Sequence, residues 1–314
     1  MQLLSIALLA WMTTGVDGTV LTREPFALKS SYEQQDELTK FRFSRKEFDE
    51  TQSERRYVGE KLTYLSDGLK IVGFYYHPRG RTIPPRPTII FCRGGNRDFG
   101  AIEATDLIVF RHWAEAGFNV LATQYRGGGG SEGKDEYGGA DVNDVMNLVA
   151  VGRNVGGCDL DNLYLVGQSR GGIMVYEAIR REIQVRAAAV ISGVADMRSF
   201  INDDPGWING DDEFPGFRHM WPDFEHRAED HFRSRSAVLW ADELKVPMLL
   251  LATRTDPKVK PMDSLILAQK LQEAGREYEL VVYGTDGHSL PIHRIDRDEH
   301  ITEWFRAHRT GVKS

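Results

Sequence analysis

The sequence predicts an α/β fold in which helices cover both faces of a mostly parallel sheet. Continuous apolar runs of strand length alternate along the chain with amphipathic stretches of helix length. Strands that are apolar on both sides are typical of parallel sheets buried between two layers of helices. A chain of 314 residues is long enough for one domain of this kind with a sizeable core.

The predicted elements begin with a hairpin. Residues 61–65 and 69–76 alternate apolar and polar side chains, and the Ser66-Asp67-Gly68 turn joins them. Further strands are predicted at 88–92, 119–123, 163–166, 187–191, 248–251 and 278–282, with helices at 102–116, at 142–155 and after Ser169. This alternation of strand and helix is the pattern of a parallel sheet.

Two segments precede this domain, which is predicted to span residues 58–314. Residues 1–18 are predicted to be a signal peptide, because 3–16 is almost free of charge and Val16-Asp17-Gly18 offers small residues for cleavage. The apolar stretch is shorter than a membrane span, so a secreted or periplasmic location is expected without stable membrane insertion. A buried N-terminal helix or an uncleaved anchor is the alternative. Residues 19–57 are predicted to be a polar N-terminal extension containing a charged, helix-like stretch.

The alternation breaks between Ala195 and Arg235. Many acidic residues surround an unusual density of aromatic ones in this stretch, namely Trp207, Phe214, Phe217, Trp221 and Phe224. Aromatic side chains at this density pack onto other groups, so residues 196–236 are predicted to form a short helical cap over the carboxyl ends of the strands. Open α/β sheets bind their ligands at these ends. A solvated excursion without substrate contact is the alternative.

Charge and cysteine content restrict the possible partners. The net charge is −7 and the basic residues are scattered, which disfavours nucleic acid or an anionic membrane as a partner. Cys92 falls at the end of one predicted strand and Cys158 before the start of another. Two ends of a strand lie too far apart for a disulfide, so two free thiols are expected.

The segment Gly167-Gln168-Ser169-Arg170-Gly171 follows a buried strand and precedes an amphipathic helix. This is the Gly-x-Ser-x-Gly nucleophile elbow in the context that the motif requires. The glycines allow the strand and helix to approach closely, while the strained turn lifts the serine hydroxyl above the sheet. The elbow therefore predicts the α/β-hydrolase fold, with Ser169 as a catalytic nucleophile.

A serine nucleophile needs a base and an acid, which follow it in this fold in the order acid, then histidine. Asp256 follows the strand at 248–251, and His288 follows the strand at 278–282. Both are expected on the same sheet edge as Ser169, so the predicted triad is Ser169, Asp256 and His288. Asp286 lies too close to His288 in the chain to orient its ring.

The chain resembles the catalytic domain of the prolyl-oligopeptidase family of serine peptidases. The resemblance rests on the segment 64–70, Arg126-Gly127, the elbow, Arg235-Ser236, and Asp256 with Val259 three residues later. It implies the same fold and the same triad. Family members that act on oligopeptides often carry an N-terminal β-propeller, for which this chain has no room.

Two further departures from the family are arginines. Arg93 stands where relatives often have His or Tyr, and Arg170 stands where an aromatic residue is common. The oxyanion hole is therefore expected to use the backbone N–H of Arg170 and a second donor from Gly94-Gly95-Asn96. Arg93 is expected either to donate through its guanidinium or to pair with an acidic residue. The two arginines together suggest an anionic group on the substrate.

No cofactor is expected. The glycine-rich run 127–133 lacks the Lys-Ser/Thr ending of a phosphate-binding loop, and no Cys/His cluster or His-Glu-x-x-His motif predicts a metal. Asp141 and Asp144 are expected to cap a helix or to pair with Arg126.

The predicted function is acyl transfer to water through an acyl-enzyme. Three hypotheses follow: a serine peptidase acting on a small peptide substrate, a carboxylesterase acting on a small ester, and a non-catalytic binding protein with the same fold. The intact triad disfavours the third hypothesis. Oligomeric state is left open.

Overall fold

The computed structural model describes residues 15–80, 82, 84–211 and 216–311. The described residues form one nine-stranded sheet in the order β1-β2-β3-β5-β4-β6-β7-β8-β9. The strands are β1 (Val20–Phe26), β2 (Tyr57–Ser66), β3 (Leu69–Pro78), β4 (Arg86–Cys92), β5 (Asn119–Thr123), β6 (Cys158–Gln168), β7 (Ala187–Ile191), β8 (Met248–Thr253) and β9 (Tyr278–Tyr283). Every strand predicted from the sequence is present.

Helices lie between and beside the strands. They are α1 (Glu37–Arg42), α2 (Arg45–Gln52), α3 (Leu107–Glu115), α4 (Val142–Met146), α5 (Leu148–Val155), α6 (Gly171–Arg180), α7 (Met197–Asp203), α8 (Gly206–Asn209), α9 (Phe217–Met220), α10 (Phe224–Ser234), α11 (Pro261–Glu273) and α12 (Arg294–Ala307). In the part of the chain that the structure describes, no helix has the length and apolar character needed to cross a bilayer.

The sheet has an antiparallel and a parallel part. Strands β1, β2, β3 and β5 pair antiparallel, whereas β5, β4 and β6 through β9 pair parallel. The parallel part brings the carboxyl ends of its strands to one edge. This confirms the mostly parallel architecture, and it gathers at that edge the loops that follow β4, β6, β8 and β9.

The strands are buried on both faces. Side chains alternate along β4, so that Ile90 packs in one apolar cluster while Ile89 and Phe91 pack in the other. Helices α5, α6 and α11 cover the first face, and α3 and α12 cover the second. This burial on both faces explains why the strands appear in the sequence as continuous apolar runs.

The segment predicted as an N-terminal extension packs against the rest of the chain. Strand β1 pairs with β2 at the sheet edge, and Phe43 and Phe48 are buried in the second cluster. Its charged stretch forms a 3-10 turn at Tyr32–Gln34 followed by two short α-helices and not one long helix. A cap begins each α-helix: Asp36 accepts from the N–H of Thr39, and Ser44 accepts from that of Glu47. The predicted signal peptide lies mostly outside the described residues, which begin at residue 15.

Two other elements differ from their predicted bounds. The helix predicted at 142–155 divides into α4 and α5 at Asn147. Strand β6 begins at Cys158 itself, which pairs with Arg86, whereas Cys92 pairs with Gly167 at the other end of the same two strands. Both thiols are free, as expected from that separation.

A helical cap joins β7 to β8, as predicted. Helices α7, α8, α9 and α10 share an aromatic and aliphatic cluster with Tyr137, Ile173, Val194 and Val259. The partners come from the loops beside the carboxyl edge and from α6, so the cap packs onto the edge that carries the predicted site. Phe214, one of the aromatic residues that predicted the cap, lies outside the described residues.

A buried carboxylate lies at the base of the cap. Asp263, in the first turn of α11, accepts the backbone N–H groups of Ala195 (2.8 Å) and Asp196 (3.1 Å), where the cap begins. Burial raises the pKa of Asp263 to about 7, although the two N–H groups favour the ionised form. The carboxyl therefore retains its proton in the folded state at pH values where the unfolded chain has lost it.

This carboxyl should make stability depend on pH. Between pH 4 and 7 the folded state binds one more proton than the unfolded state, so the free energy of unfolding falls as pH rises, by up to roughly 4 kcal/mol. Asp263→Asn keeps an oxygen acceptor without the charge and should remove this decline. Urea unfolding from pH 4.5 to 8.5 measures it. Wild-type and variant curves that stay parallel across this range would contradict the assignment.

Candidate active site

Ser169 lies on a tight turn between β6 and α6. Its φ angle is +56°, in the left-handed region that a residue with a side chain adopts only under constraint. The backbone N–H of Ser169 donates to Ile191 O at 2.8 Å, and its own carbonyl accepts from Gly172 N at 2.8 Å. These bonds attach the turn to the neighbouring strand and to the first turn of the helix. This is the geometry of a nucleophile elbow.

The elbow requires glycine on both sides of the serine. A methyl group on Gly167 would lie 2.4 Å from Gly171 O, and one on Gly171 would lie 2.0 Å from Cys92 O. Both distances are far inside van der Waals contact, so no side chain fits at either position. Three backbone segments, the ends of β4 and β6 and the start of α6, therefore meet directly beneath Ser169.

Asp256 and His288 are in direct contact. Nδ1 of His288 lies 3.0 and 2.9 Å from the two carboxylate oxygens of Asp256. The Asp256 side chain is 1% exposed and that of His288 is 23% exposed, so the acid is buried while the imidazole reaches the surface. This is the arrangement in which an acid fixes the ring and its tautomer and leaves Nε2 free for chemistry.

The Asp256 carboxylate is held in its charged form. Burial raises its pKa, but the hydrogen bond and charge of His288 outweigh that effect, together with backbone N–H groups of Lys258 (2.8 Å) and Val259 (3.0 Å). The pKa of Asp256 is therefore below its ordinary value. The spacing from Asp256 to Val259, noted in the sequence as a family feature, thus has a structural cause.

The three triad residues follow β6, β8 and β9 at the same edge of the sheet. Ser169 and His288 are both partly exposed there. Among the described residues, the structure records a hydrogen bond between His288 and Asp256 but none between Ser169 Oγ and His288. It thus joins Asp256 to His288 directly and brings Ser169 to the same edge.

Asp286 has a different role, consistent with its exclusion as the acid. Its carboxylate accepts hydrogen bonds from the backbone N–H groups of Gly287, Ile292 and His293. It also lies 2.8 Å from Nδ1 of the His293 ring. It therefore closes the loop that carries His288 without contacting the His288 ring.

Arg93 does not have either of the roles expected from the sequence. Its side chain is 2% exposed and donates to backbone carbonyls, those of Gly94, Arg97, Phe99 and Gln124. Burial and the neighbouring charge of Arg170 lower its pKa to about 10. The guanidinium thus organises the loop after β4, and it neither pairs with a carboxylate among the described residues nor faces a substrate.

The side chain of Arg170 is also committed internally. It is fully buried and forms a bidentate ion pair with Asp135, both bonds being 2.7 Å, and a further contact with Asp141. Burial lowers its pKa, but the two carboxylates outweigh that effect and hold the pKa above its ordinary value. The suggestion that Arg93 and Arg170 bind an anionic substrate group is therefore wrong for this structure, because both are buried and occupied.

The predicted backbone donors remain available. Within the described chain, the N–H groups of Arg170, Gly94 and Gly95 have no hydrogen-bond acceptor. A methyl group on Gly94 would lie 3.1 Å from Cβ and 3.7 Å from Oγ of Ser169, so this loop lies beside the nucleophile. The Asn96 side chain is buried and is not presented to a substrate. The geometry favours backbone N–H groups as the oxyanion donors.

Two acidic residues of this site were missed or misassigned by the sequence analysis. No role was predicted for Asp135, and Asp141 was expected to cap a helix or to pair with Arg126. Asp144 is the acid that pairs with Arg126, whereas Asp141 contacts Arg170. The sequence did contain a clue to these two residues. Two arginines lie beside the predicted nucleophile, and buried arginines need carboxylate partners. Among the described residues, no group of three or more potential ligands is arranged to hold a metal ion.

Comparison with known proteins identifies relatives along most of the chain. A family model described as the prolyl oligopeptidase family matches residues 105–311. The uncharacterized peptidase YtmA of Bacillus subtilis (strain 168) is 27% identical over 256 residues, which cover 78% of this chain and 92% of that protein. Acylamino-acid-releasing enzyme 1 of Oryza sativa subsp. japonica is 26% identical over 80% of this chain but only 34% of that enzyme. The chain thus spans about a third of the plant relative.

Solved structures share the fold. The acylaminoacyl peptidase of Pyrococcus horikoshii superposes with a TM-score of 0.67 at 19% identity, covering 83% of this chain and 43% of that one. Acetyl xylan esterase from Paenibacillus sp. R4 superposes with a TM-score of 0.62 at 18% identity, covering 82% of this chain and 86% of the esterase chain. These similarities confirm the α/β-hydrolase fold. The family model and the curated relatives support an enzyme of the serine-peptidase type.

Asp256→Asn tests the acid. Without the carboxylate, His288 should lose its fixed tautomer, and kcat should fall by roughly 10³- to 10⁴-fold while the fold is retained. Asp286→Asn is the matched comparison, since it alters the same loop but contacts His293 and not His288. Steady-state kinetics, corrected for the folded fraction by circular dichroism, give both values. A loss in Asp286→Asn as large as that in Asp256→Asn would contradict the acid assignment.

Proposed function

The chain belongs to the prolyl oligopeptidase family, and on that premise we propose that it is a serine peptidase that cleaves short peptides through an acyl-enzyme on Ser169. The observation that carries the proposal is the buried Asp256 in contact with His288, at the sheet edge where the elbow presents Ser169. A structural serine would not need a neighbouring imidazole with one nitrogen fixed by a buried carboxylate and the other free.

Acylation follows from the roles of these groups. Asp256 holds the proton of His288 on Nδ1, so Nε2 is the nitrogen that accepts a proton. His288 takes the proton of the Ser169 hydroxyl as Oγ attacks the substrate carbonyl carbon. The tetrahedral oxyanion then accepts hydrogen bonds from the backbone N–H of Arg170 and from the loop Gly94-Gly95-Asn96.

Two further steps complete acylation and then hydrolyse the acyl-enzyme. The imidazolium of His288 donates its proton to the departing amine, which leaves the acyl group esterified to Ser169. A water molecule then loses a proton to His288 and attacks the ester, and the imidazolium returns that proton to Ser169 Oγ as the acyl–oxygen bond breaks and the acid product leaves. The buried Asp256 stabilises the imidazolium in both halves of the reaction.

The buried arginines bear on the substrate. Because the side chains of Arg93 and Arg170 are buried and occupied, neither offers a free cation to an acidic substrate group. The aromatic cluster of the cap includes Tyr137, whose ring packs against the guanidinium of Arg170. We therefore expect neutral or apolar acyl groups. The names of the plant and archaeal relatives make N-acylated peptides a reasonable first choice.

A carboxylesterase is the second candidate. The acetyl xylan esterase superposes over 86% of its own length, whereas the archaeal peptidase superposes over 43% of its length. Esters and amides pass through the same tetrahedral intermediate, but an amide also requires protonation of a poor leaving group. The triad alone does not distinguish the two.

The distinguishing experiment uses an N-acetyl amino acid as its p-nitrophenyl ester and as its p-nitroanilide. The wild type should hydrolyse both, and Ser169→Ala should reduce both rates by roughly 10⁴-fold or more. Ser192→Ala is the matched control, because Ser192 is likewise a serine with positive φ directly after a strand, here the neighbouring β7, but it is buried. It should retain activity.

The outcomes separate the hypotheses. Ester turnover without amide turnover would favour the esterase. Equal losses in Ser169→Ala and Ser192→Ala, or no turnover of either substrate by folded wild type, would contradict the proposed function.

A further inference from the structure

Three successive carbonyl oxygens of the loop after β4 accept hydrogen bonds from buried side chains. Arg93 O accepts from the hydroxyl of Tyr125 at 3.0 Å. Gly94 O accepts from Nη1 of Arg93 at 3.0 Å, and Gly95 O accepts from Nη1 of Arg170 at 3.1 Å. Tyr125, Arg93 and Arg170 are each at most 2% exposed, so three successive carbonyls are fixed from the protein interior.

Fixing a carbonyl also fixes an N–H group. In a planar trans peptide the N–H of the next residue points opposite to the carbonyl oxygen. The N–H groups of Gly94, Gly95 and Asn96 therefore point away from the donors that hold the three carbonyls. The donors determine the direction in which this loop can donate hydrogen bonds.

Gly95 gives the loop the shape of an anion site. Its φ is +66°, and a methyl group there would lie 2.1 Å from Phe99 O, so only glycine fits. A left-handed residue in such a loop turns successive N–H groups toward one concavity, an arrangement that binds anions. Asn96 is paired with Phe99 in an isolated β-bridge, so the candidate donors here are the N–H groups of Gly94 and Gly95. Gly94 places this concavity beside Ser169, where a methyl group on Gly94 would lie 3.7 Å from the hydroxyl oxygen.

Arg170 connects this loop to the nucleophile. Its backbone follows Ser169 directly, while its side chain bonds Gly95 O and both oxygens of Asp135. Asp135 in turn accepts the N–H of Arg97 at 2.9 Å, at the far end of the same loop. One residue thus supplies an oxyanion donor through its N–H and holds the second donor loop through its guanidinium.

We propose that Arg170, together with Asp135, is a positioning residue that aligns the two halves of the oxyanion hole. The proposal rests on the proposed function, since it concerns the transition state of the same reaction. Here one guanidinium bonds the carboxylate and also a carbonyl of the loop beside the nucleophile, so its loss should affect transition-state binding more than substrate binding.

Arg170→Lys and Asp135→Asn test the role. Lysine keeps the charge but cannot bond Gly95 O and both Asp135 oxygens together, and asparagine weakens the same connection from its other side. Each variant should lower kcat per active site by roughly 10- to 100-fold, with KM within about twofold. The inhibition constant of a trifluoromethyl ketone, whose adduct carries an oxyanion, should rise by the same factor. Active sites are counted by fluorophosphonate titration, so misfolded protein does not enter kcat.

Arg126→Lys is the matched control, because Arg126 is a buried arginine paired with a buried aspartate, Asp144, and it contacts none of the residues 93–97. It should retain kcat per active site. Should Arg170→Lys fail to fold, Asp135→Asn and Arg93→Lys give the same readout.

Two results would overturn the proposal. One is a kcat per active site within twofold of wild type in the folded variants. The other is a rise in KM equal to the loss in kcat with unchanged trifluoromethyl ketone inhibition, which would indicate a general structural role. Wild type that neither reacts with fluorophosphonate nor hydrolyses the ester would overturn the proposed function and this role together, whereas an active wild type with unaffected variants would overturn this role alone.

Discussion

The site depends on the direct contact of three backbone segments beneath Ser169. The end of β4, the end of β6 and the start of α6 approach so closely that Gly167 and Gly171 admit no side chain. This contact forces the turn that holds Ser169 at φ +56°. It also brings the loop after β4 beside the nucleophile, so the same constraint that presents the hydroxyl brings candidate oxyanion donors next to it.

Buried charge organises the surroundings of this turn. Two arginines and two aspartates, Arg93, Arg170, Asp135 and Asp141, are buried below the nucleophile. Removing such charges from water is costly unless each finds partners, and here they bond one another and the loop carbonyls. The elbow therefore differs electrostatically from one with an aromatic residue after the serine. A network of ion pairs and carbonyl bonds supports its loops, and the guanidinium groups of Arg93 and Arg170 are both used within it.

Much of this could be predicted from the sequence, because local and global signals agree. Strands β5 and β7 have the bounds expected from their apolar runs, since both are buried on two faces. The proposed triad follows from strand order and from the elbow, and the structure places Asp256 against His288. Strand β1 was not predicted, because its side chains are mostly exposed and leave no hydrophobic pattern. The fate of Arg170 could not be predicted either, since its partners Asp135 and Asp141 lie 35 and 29 residues away and only the fold brings them together.

The most direct test of the account is the site of covalent modification by a fluorophosphonate. The folded protein is treated with the reagent, digested, and mapped by mass spectrometry, beside a His288→Ala variant. The account predicts one adduct, on Ser169, which forms far more slowly without the imidazole. An adduct on another residue, or labelling of Ser169 at an unchanged rate in His288→Ala, would contradict the assignment of Ser169 and His288 as nucleophile and base.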